Sequence, residues 1–253
     1  MHMTTYLINT ATRKMTYTLG IASLLLLQSC ATIEPEFADP RDPYEDLNRE
    51  IYAVNEIIDL ELLKPISRGY QAMMPPLVTQ GVSNFFSNLG NVTTLVNSLF
   101  QSKFAQAGQT AARFALNSTA GMLGLMDVAT EAGFPQQAES FTETLGVWGI
   151  ETGPYIMLPF LGPSTVTGVI GYAADWWTKP LGWLPQDKTR YSLRGLSLIE
   201  KRAALLPATK IIEQTPDPYA FVRDAYLQQQ RHNINKDTEE VDEWAEEERY
   251  YQE

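Results

Sequence analysis

The sequence predicts an all-α fold: one domain of short helices lying in a membrane without crossing it as a single span. The first observation is residues 62–178, where ten side chains among 117 are charged, less than half the density of the whole chain, 19%. The second is that Gly, Pro, Asn or Ser interrupts this stretch every few residues. No apolar run in it approaches the roughly 18 to 20 residues of a spanning helix. The third is periodicity: apolar residues recur at helical spacing between cap signals, and no strand-period alternation of any length is present. A large soluble core has the same composition as a lipid-facing rim, so both readings stand at this point.

The chain opens on a processing signal. Arg13 and Lys14 precede an apolar stretch, 15–27, that is too short to span and remain, and Leu27-Gln28-Ser29-Cys30 has the pattern of a bacterial lipobox. Residues 1–29 are expected to be a lipoprotein signal peptide, with Cys30 lipidated. Gln28 is a less usual choice within that motif. The alternative is an ordinary signal cleaved near Ala31, which would discard Cys30. Cys30 is the single cysteine, so no intrachain disulfide forms. Two or more acyl chains on it anchor the mature N-terminus where one would not. Ala31 directly after the cysteine resembles the sorting signal of outer-membrane lipoproteins in Gram-negative bacteria. Residues 30–41 are then a lipidated, polar tether.

The helical domain is expected over 42–232. Asp42-Pro43-Tyr44-Glu45 reads as a helix start, with Asp42 as N-cap, Pro43 in the first turn and Glu45 reaching back. Leu47, Ile51, Val54 and Ile58 continue it as one stripe. Pro65 limits the next short helix. Pro75-Pro76 opens another that runs to Leu89, where Gly90-Asn91 breaks it. Val92, Leu95, Val96, Leu99 and Phe100 form the following apolar face. Residues 104–116 make a helix whose Ala107, Gly108, Ala111 and Ala115 allow close approach, and Gly121 and Gly124 lie in an apolar helix ending near Gly133. Ser140 and Glu143 have capping-box spacing. Gly153-Pro154, Leu158-Pro159 and Gly162-Pro163 punctuate a stretch that cannot be regular helix. Residues 165–177 resume as an apolar helix, 191–214 are amphipathic, and Asp217-Pro218 starts a last helix to about Arg231. An acidic tail, expected to be flexible, occupies 233–253.

Charge and chemistry narrow the function. The net charge of −11 excludes a nucleic-acid footprint, and −7 of it falls in residues 236–253. Of two histidines, His2 lies in the signal and His232 in a polar stretch without an apolar wall. No catalytic triad, nucleophile elbow, phosphate cradle or metal-ligand cluster can be assembled, so catalytic and metal residues are expected to be none. Cofactors are likewise expected to be none beyond a covalent lipid. Glu139 and Glu143 read as a capped surface turn rather than an acid–base pair.

The polar residues of the charge-poor stretch carry more. Asn84, Ser87, Asn88 and Asn91 share one side of a helix whose other positions hold Val82, Phe85, Phe86 and Leu89, and Asn97 and Gln101 repeat the pattern. In hydrocarbon such amides need partners or a water-lined cavity. They therefore either line an amphipathic passage for a lipid headgroup or serve as caps and interhelix bonds. Trp176, Trp177 and Trp183 beside Lys179 and Lys188 read either as an interfacial belt or as core.

Several runs resemble the MlaA/VacJ family of outer-membrane lipoproteins, which maintain lipid asymmetry. These are Asp42-Pro43-x-Glu45-x-x-Asn48-Arg49-x-Ile51, Leu63-Lys64-Pro65, Asn84-Phe85-Phe86-x-Asn88-Leu89 and Val96-Asn97-x-Leu99. Further runs are Arg113-Phe114-x-x-Asn117-Ser118-Thr119-x-Gly121-x-x-Gly124-x-x-Asp127, Thr144-Leu145-Gly146-x-x-Gly149 and Asp217-Pro218-Tyr219 leading to Arg223-x-Ala225-Tyr226. The most distinctive is Gly153-Pro154-Tyr155-x-x-Leu158-Pro159-x-Leu161-Gly162-Pro163-Ser164. The family usually carries Gly where Thr142 stands, Arg-Asp at 167–168 and an aromatic at Val54. The resemblance implies a ring of short helices in the inner leaflet of the outer membrane, around an amphipathic pore. It implies transport of mislocalised phospholipid to a soluble periplasmic phospholipid carrier, and association with a trimeric porin. A docking lipoprotein that binds porin without moving lipid is the alternative. On this reading the pore or lipid contacts are Asn84, Asn88, Asn97, Gln101 and Asn117. The structural turns are Gly121, Gly124, Gly153, Pro154, Gly162 and Pro163, and loop 133–140 is the candidate gate.

Overall fold

The structure, a computed structural model, describes the backbone of residues 39–252 and the side chains of residues 39–236. The signal peptide, Cys30 and most of the tether lie outside the described residues. The first helix, α1 (Glu45–Ile58), passes through a π-helical turn (Asp59–Leu63) straight into α2 (Lys64–Met73). Pro65 therefore does not limit a separate helix but sits in the first turn of α2. The wider turn admits it: Lys64 N donates to Asp59 O, so the helix is already rewound where Pro65 lacks a donor. The start of α1 differs too. Tyr44 is the N-cap and gives no side-chain bond, while Asp42 is buried. Its carboxylate accepts from Asn48 Nδ2 (2.7 Å), the Tyr219 hydroxyl and Arg223 Nη1 (3.3 Å). These donors satisfy a buried charge, which outweighs one capping bond at an exposed end.

α3 (Pro76–Phe100) runs unbroken for 25 residues and doubles back through Ser102 (φ 60°) into α4 (Phe104–Thr119). Gly90-Asn91 does not interrupt it. A glycine in a helix interior costs only about 1 kcal/mol, which packing along α4 outweighs. Asn91 is no cap; its side chain is buried and donates to Asn88 Oδ1 (3.3 Å).

The helix expected around Gly121 and Gly124 is instead a left-handed turn: Met122, Leu123 and Gly124 all have positive φ (53°, 61° and 91°). Close approach dictates it. A Cβ on Gly121 would lie 2.2 Å from Met126 O, and one on Gly124 would lie 2.8 Å from Asn88 Cβ. Short α5 (Val128–Glu131) follows, then α6 (Phe141–Val147), which starts on the predicted capping box of Ser140 and Glu143.

Residues 153–165 form the one sheet among the described residues. β1 (Tyr155–Leu158) pairs antiparallel with β2 (Gly162–Thr165), Tyr155 opposite Thr165 and Leu158 opposite Gly162. Strands of four residues are too short for an alternation to register in the sequence. α1 holds the free edge of β1 with two asparagines seven residues apart. Asn48 donates to Tyr155 O (3.2 Å) and accepts from Met157 N (2.8 Å). Asn55 donates to Leu158 O (2.9 Å) and accepts from Phe160 N (2.8 Å). Each side-chain amide thus stands in for a peptide of a third strand.

α7 (Val166–Asp175) is N-capped by Thr165, and a 3₁₀ turn (Pro180–Trp183) leads to α8 (Asp187–Ala204) and α9 (Leu206–Glu213). α10 (Pro218–Gln252) starts as expected, with Asp217 accepting from Ala220 N, but its backbone stays helical well past Arg231. The two Asp-Pro motifs meet. Tyr219 reaches Asp42, and Arg49 grips both Asp217 oxygens while its guanidinium lies 4.4 Å from the centre of the Tyr219 ring. Tyr155, Met157 and Tyr219 form the apolar core at this closure, with Ile51, Tyr52, Tyr226 and Leu227 against it.

Candidate functional site

The distribution of polarity is inverted. Among the described residues seven apolar side chains are buried against 22 polar or charged ones, while 35 large apolar or aromatic side chains are exposed. A water-soluble domain buries the opposite set. α3 shows why. Its buried stripe is Asn88, Asn91, Thr94, Asn97 and Ser98, and Leu77, Leu99 and Phe100 are exposed. α4 answers with buried Ala107, Thr110, Arg113 and Asn117, so the α3–α4 seam is lined by polar and small side chains; Asn88 Nδ2 bonds Ser118 Oγ across it, while Ser98 Oγ and Thr110 Oγ1 are buried without a partner.

The five amides predicted as lipid contacts fall at two nodes of this seam. Asn84, Asn88 and Asn117 converge on the left-handed turn. Asn84 Nδ2 donates to Leu125 O (3.1 Å), Asn88 Nδ2 to Ser118 Oγ (2.9 Å), and Asn117 O accepts from Gly124 N (2.7 Å). Asn117 also donates to Asp127 Oδ1 (2.9 Å) and accepts from Ala129 N (2.9 Å). Gly121 and Gly124 belong to this node, and Met122 and Leu123 project outward from it, Leu123 at 75% exposure. Arg113, 1% exposed, completes it with both Asp127 oxygens (3.0 and 2.9 Å) and Thr130 Oγ1 (2.8 Å). Burial works to raise the Asp127 carboxyl, but bonds from Thr130, Asn117 and Arg113 outweigh it and hold it at about 2.

Asn97 and Gln101 belong to the second node. Asn97 donates to Thr93 O (3.0 Å) and Asp175 Oδ1 (2.9 Å) and accepts from Thr144 Oγ1 (3.0 Å). Gln101 donates to Glu139 Oε2 (3.1 Å) and Thr144 Oγ1 (3.0 Å). Glu139 and Glu143 are capped as expected but are buried, not on the surface. Glu139 takes Lys236 (2.7 Å), Lys103 (3.2 Å) and Gln106 (2.8 Å), so the C-terminal end of loop 133–140 is anchored to α3, α4 and α10. Burial raises Glu139, yet these donors leave it below the usual range, whereas burial pushes Glu143 up.

The glycine–proline turns 153–154 and 162–163 form neither node; they shape the hairpin. Gly153 (φ 68°) and Gly162 (φ 84°) take the left-handed positions, and the tip between the strands presents Phe160 and Leu161, Phe160 at 77% exposure. Trp176, Trp177 and Trp183 are all exposed, which removes the core reading for them.

Sequence reasoning missed the buried ions Asp42, Arg113 and Glu139. For Arg113 and Asp127 a signal existed, a lone basic residue and an acidic one fourteen apart in a charge-poor stretch. It also missed a 390 Å³ cavity between α2, α3 and α8, lined by Tyr70, Gln71, Thr79, Gln80, Ser83 and Glu200. Gln80 Nε2 donates to Asn84 Oδ1 (2.8 Å), so Asn84 lies one hydrogen bond behind the cavity wall. Among the described residues no helix is long and apolar enough to cross a membrane, and no cluster of three metal-ligating side chains is present.

A family model described as MlaA lipoprotein matches residues 40–233. The chain is similar to the intermembrane phospholipid transport system lipoprotein MlaA of Escherichia coli strain K12, 35% identical over 215 residues, covering 83% of this chain and 84% of the relative. The protein of that description from Haemophilus influenzae is 28% identical over 228 residues, covering 85% and 89%. An uncharacterised protein of Rickettsia felis is 31% identical over 190 residues, covering 73% and 74%. Among solved structures, one from a study described as the structural basis for maintenance of bacterial outer membrane lipid asymmetry matches with a TM-score of 0.69. It is 32% identical and covers 77% of this chain and 99% of that one.

Proposed function

The chain belongs to the MlaA lipoprotein family, and from that premise we propose that it removes mislocalised phospholipid from the outer leaflet of the outer membrane and passes it to a soluble periplasmic carrier. It is anchored through lipid on Cys30 to the periplasmic side of that membrane and associates there with a trimeric porin. The observation that carries the reading is the inverted polarity, with amides and ions inside and apolar side chains outside. Such a body gains by entering acyl chains: ten exposed Leu, Phe or Trp side chains transferred from water contribute roughly 15 to 30 kcal/mol.

A ring of helices around an amphipathic passage is the form we assign to it. Asn88, Asn97, Gln101 and Asn117 hold the walls, since protein partners already engage their amides. The passage for a headgroup is the cavity beside α3, where Gln80, Ser83 and, behind them, Asn84 offer polar groups next to Met74 and Ala203. No step consumes energy here; direction comes from removal of lipid by the carrier. The left-handed turn and loop 133–140 are the segments we assign to gating.

The test is genetic and biochemical. Loss of the gene should raise outer-leaflet phospholipid and detergent sensitivity, and the wild-type gene should restore both. Asn84→Trp, which fills the passage wall, should restore neither while the protein reaches the membrane in normal amount. Unchanged outer-leaflet phospholipid in the deletion strain refutes transport and leaves a porin-docked lipoprotein. Full rescue by Asn84→Trp refutes the assignment of the passage.

A further inference from the structure

Where α7 meets α8, two basic side chains are held side by side without an ion-pair partner. Tyr172 and Trp176 lie one helical turn apart, with ring centroids 6.5 Å apart. Lys179 Nζ sits 4.1 Å from the Tyr172 ring centroid and the Arg194 guanidinium carbon 4.2 Å from that of Trp176. Among the described residues neither cation forms a salt bridge, in a chain with net charge −11. Asp175 is close, but it is buried and its oxygens accept from Asn97 Nδ2 and Phe141 N. Asp187, the next acidic residue along the chain, is taken by Arg190. Burial first, then the Lys201 and Arg194 charges, hold the Lys179 ammonium below the usual lysine range in spite of Asp175. Two cations thus stand together without a salt bridge, and Asp175 answers them only in part.

Its surroundings fix the depth. Trp177 is 79% exposed, Trp183 is exposed and donates its Nε1–H to Trp177 O (3.0 Å), and Tyr191 in the first turns of α8 is exposed as well. Exposed Trp and Tyr next to Lys and Arg mark the headgroup level of a bilayer.

We propose that Lys179 and Arg194 form a binding site for the phosphate of a net-anionic glycerophospholipid, of the phosphatidylglycerol class, at the rim of the protein. The chemistry discriminates against a zwitterionic headgroup. An ammonium arriving there finds the nearby carboxylate turned inward and both aromatic faces already covered by the protein's own cations. The site rests on the reading of the protein as membrane-embedded. It assigns a lipid class to one part of the rim.

The full-length lipoprotein is reconstituted in nanodiscs of equimolar phosphatidylglycerol and phosphatidylethanolamine, re-extracted, and its bound lipids are quantified by native mass spectrometry. Wild type should be enriched in phosphatidylglycerol. K179Q/R194Q should lower the bound ratio roughly tenfold, because basic groups at headgroup level each strengthen anionic-lipid binding several-fold. K210Q/R231Q, which removes the same charge elsewhere, should keep the enrichment. K179R/R194K should also keep it, and it decides the matter should the double Gln variant not fold. Equal loss in both Gln variants would show bulk charge at work and overturn the site. Competition by millimolar inorganic phosphate would make it a free-phosphate site and overturn the lipid assignment. Bound phospholipid without any preference overturns this inference alone; wild type carrying no phospholipid would overturn the transport reading as well.

Discussion

Asn48 and Asn55 make the same pair of bonds to successive stretches of one strand edge, from one face of α1, yet their removal should differ several-fold. Asn48 is 1% exposed. Asn48→Ala strips the acceptor from buried Met157 N and one donor each from Tyr155 O and the Asp42 carboxylate. A buried polar group left unpaired costs about 1 to 3 kcal/mol. Asp42 keeps the Tyr219 hydroxyl and Arg223, so the sum is roughly 3 to 5 kcal/mol rather than the full total. Asn55→Ala frees Leu158 O and Phe160 N beside the exposed hairpin tip, where water or headgroups replace the amide, and costs about 1 kcal/mol. At roughly 2 to 4 °C per kcal/mol for a domain of this size, Asn48→Ala should lower Tm by about 6 to 20 °C and Asn55→Ala by about 2 to 4 °C. Asn48→Asp should be worse than Ala, since it can accept from Met157 N but sets a second carboxylate against Asp42. Thermal unfolding of the detergent-purified protein, followed by near-ultraviolet circular dichroism, reads all three. Equal shifts for Asn48→Ala and Asn55→Ala would refute the view that burial, not bond count, sets the strength of this edge.

Three further outcomes follow from the same geometry. Gly90→Ala, with open space around its Cβ inside α3, should stabilise by about 0.5 to 1 kcal/mol, whereas Gly121→Ala drives a methyl into Met126 O and Asn117 O and should destabilise severely or abolish accumulation. Urea unfolding and membrane yield distinguish them. Arg113→Met leaves the Asp127 carboxylate without its bidentate partner and should cost about 3 kcal/mol, with Arg113→Met/Asp127→Asn recovering part of the loss in a double-mutant cycle. Asp127 also sets an acid limit. Its folded carboxyl, at about 2, lies below its unfolded value, so its contribution is present above the unfolded pKa of about 3.9 and is lost as pH falls through the folded one. Discounted for partial exposure, that contribution is about 1 to 2 kcal/mol. Asp127→Asn should flatten the stability profile between about pH 4 and pH 2.

Helix content, the capping box at Ser140 and the Asp217 cap were legible because each rests on residues within one turn of one another. What the sequence concealed depends on partners far along the chain. Asp42 has the local credentials of an N-cap, and only the arrival of Tyr219 and Arg223 from α10 turns it inward. Gly90-Asn91 reads as a break because local propensity is unfavourable, and the α3–α4 seam overrides it. Gly121 and Gly124 at helical spacing suit a helix equally well until Asn88 and Asn117 approach too closely for one. The hairpin escaped notice because four-residue strands, one containing Pro163, carry no periodic signal, and its third edge is supplied by two asparagine side chains rather than by backbone.

The choice between soluble core and lipid-facing rim was beyond the sequence for a physical reason. An amphipathic helix has the same pattern whichever face turns inward. In α3 the apolar set Val92, Leu95, Val96, Leu99 and Phe100 and the polar set Asn88, Asn91, Thr94, Asn97, Ser98 and Gln101 each define a stripe, and periodicity gives their separation but not their direction. Direction is decided by what the opposite helix can offer. α4 and the segments packed around α3 present Ser118 Oγ, Leu125 O, Thr144 Oγ1 and the Asp175 carboxylate, polar groups that must be matched once buried, so α3 turns its amides toward them and its aromatics away. In water that arrangement would expose Leu77, Phe100 and Phe104 at a cost of roughly 1.5 to 3 kcal/mol each. In a leaflet the sign reverses, because acyl chains satisfy the apolar face while an unpaired amide there has nothing to bond. The solvent therefore selects which stripe is the interior.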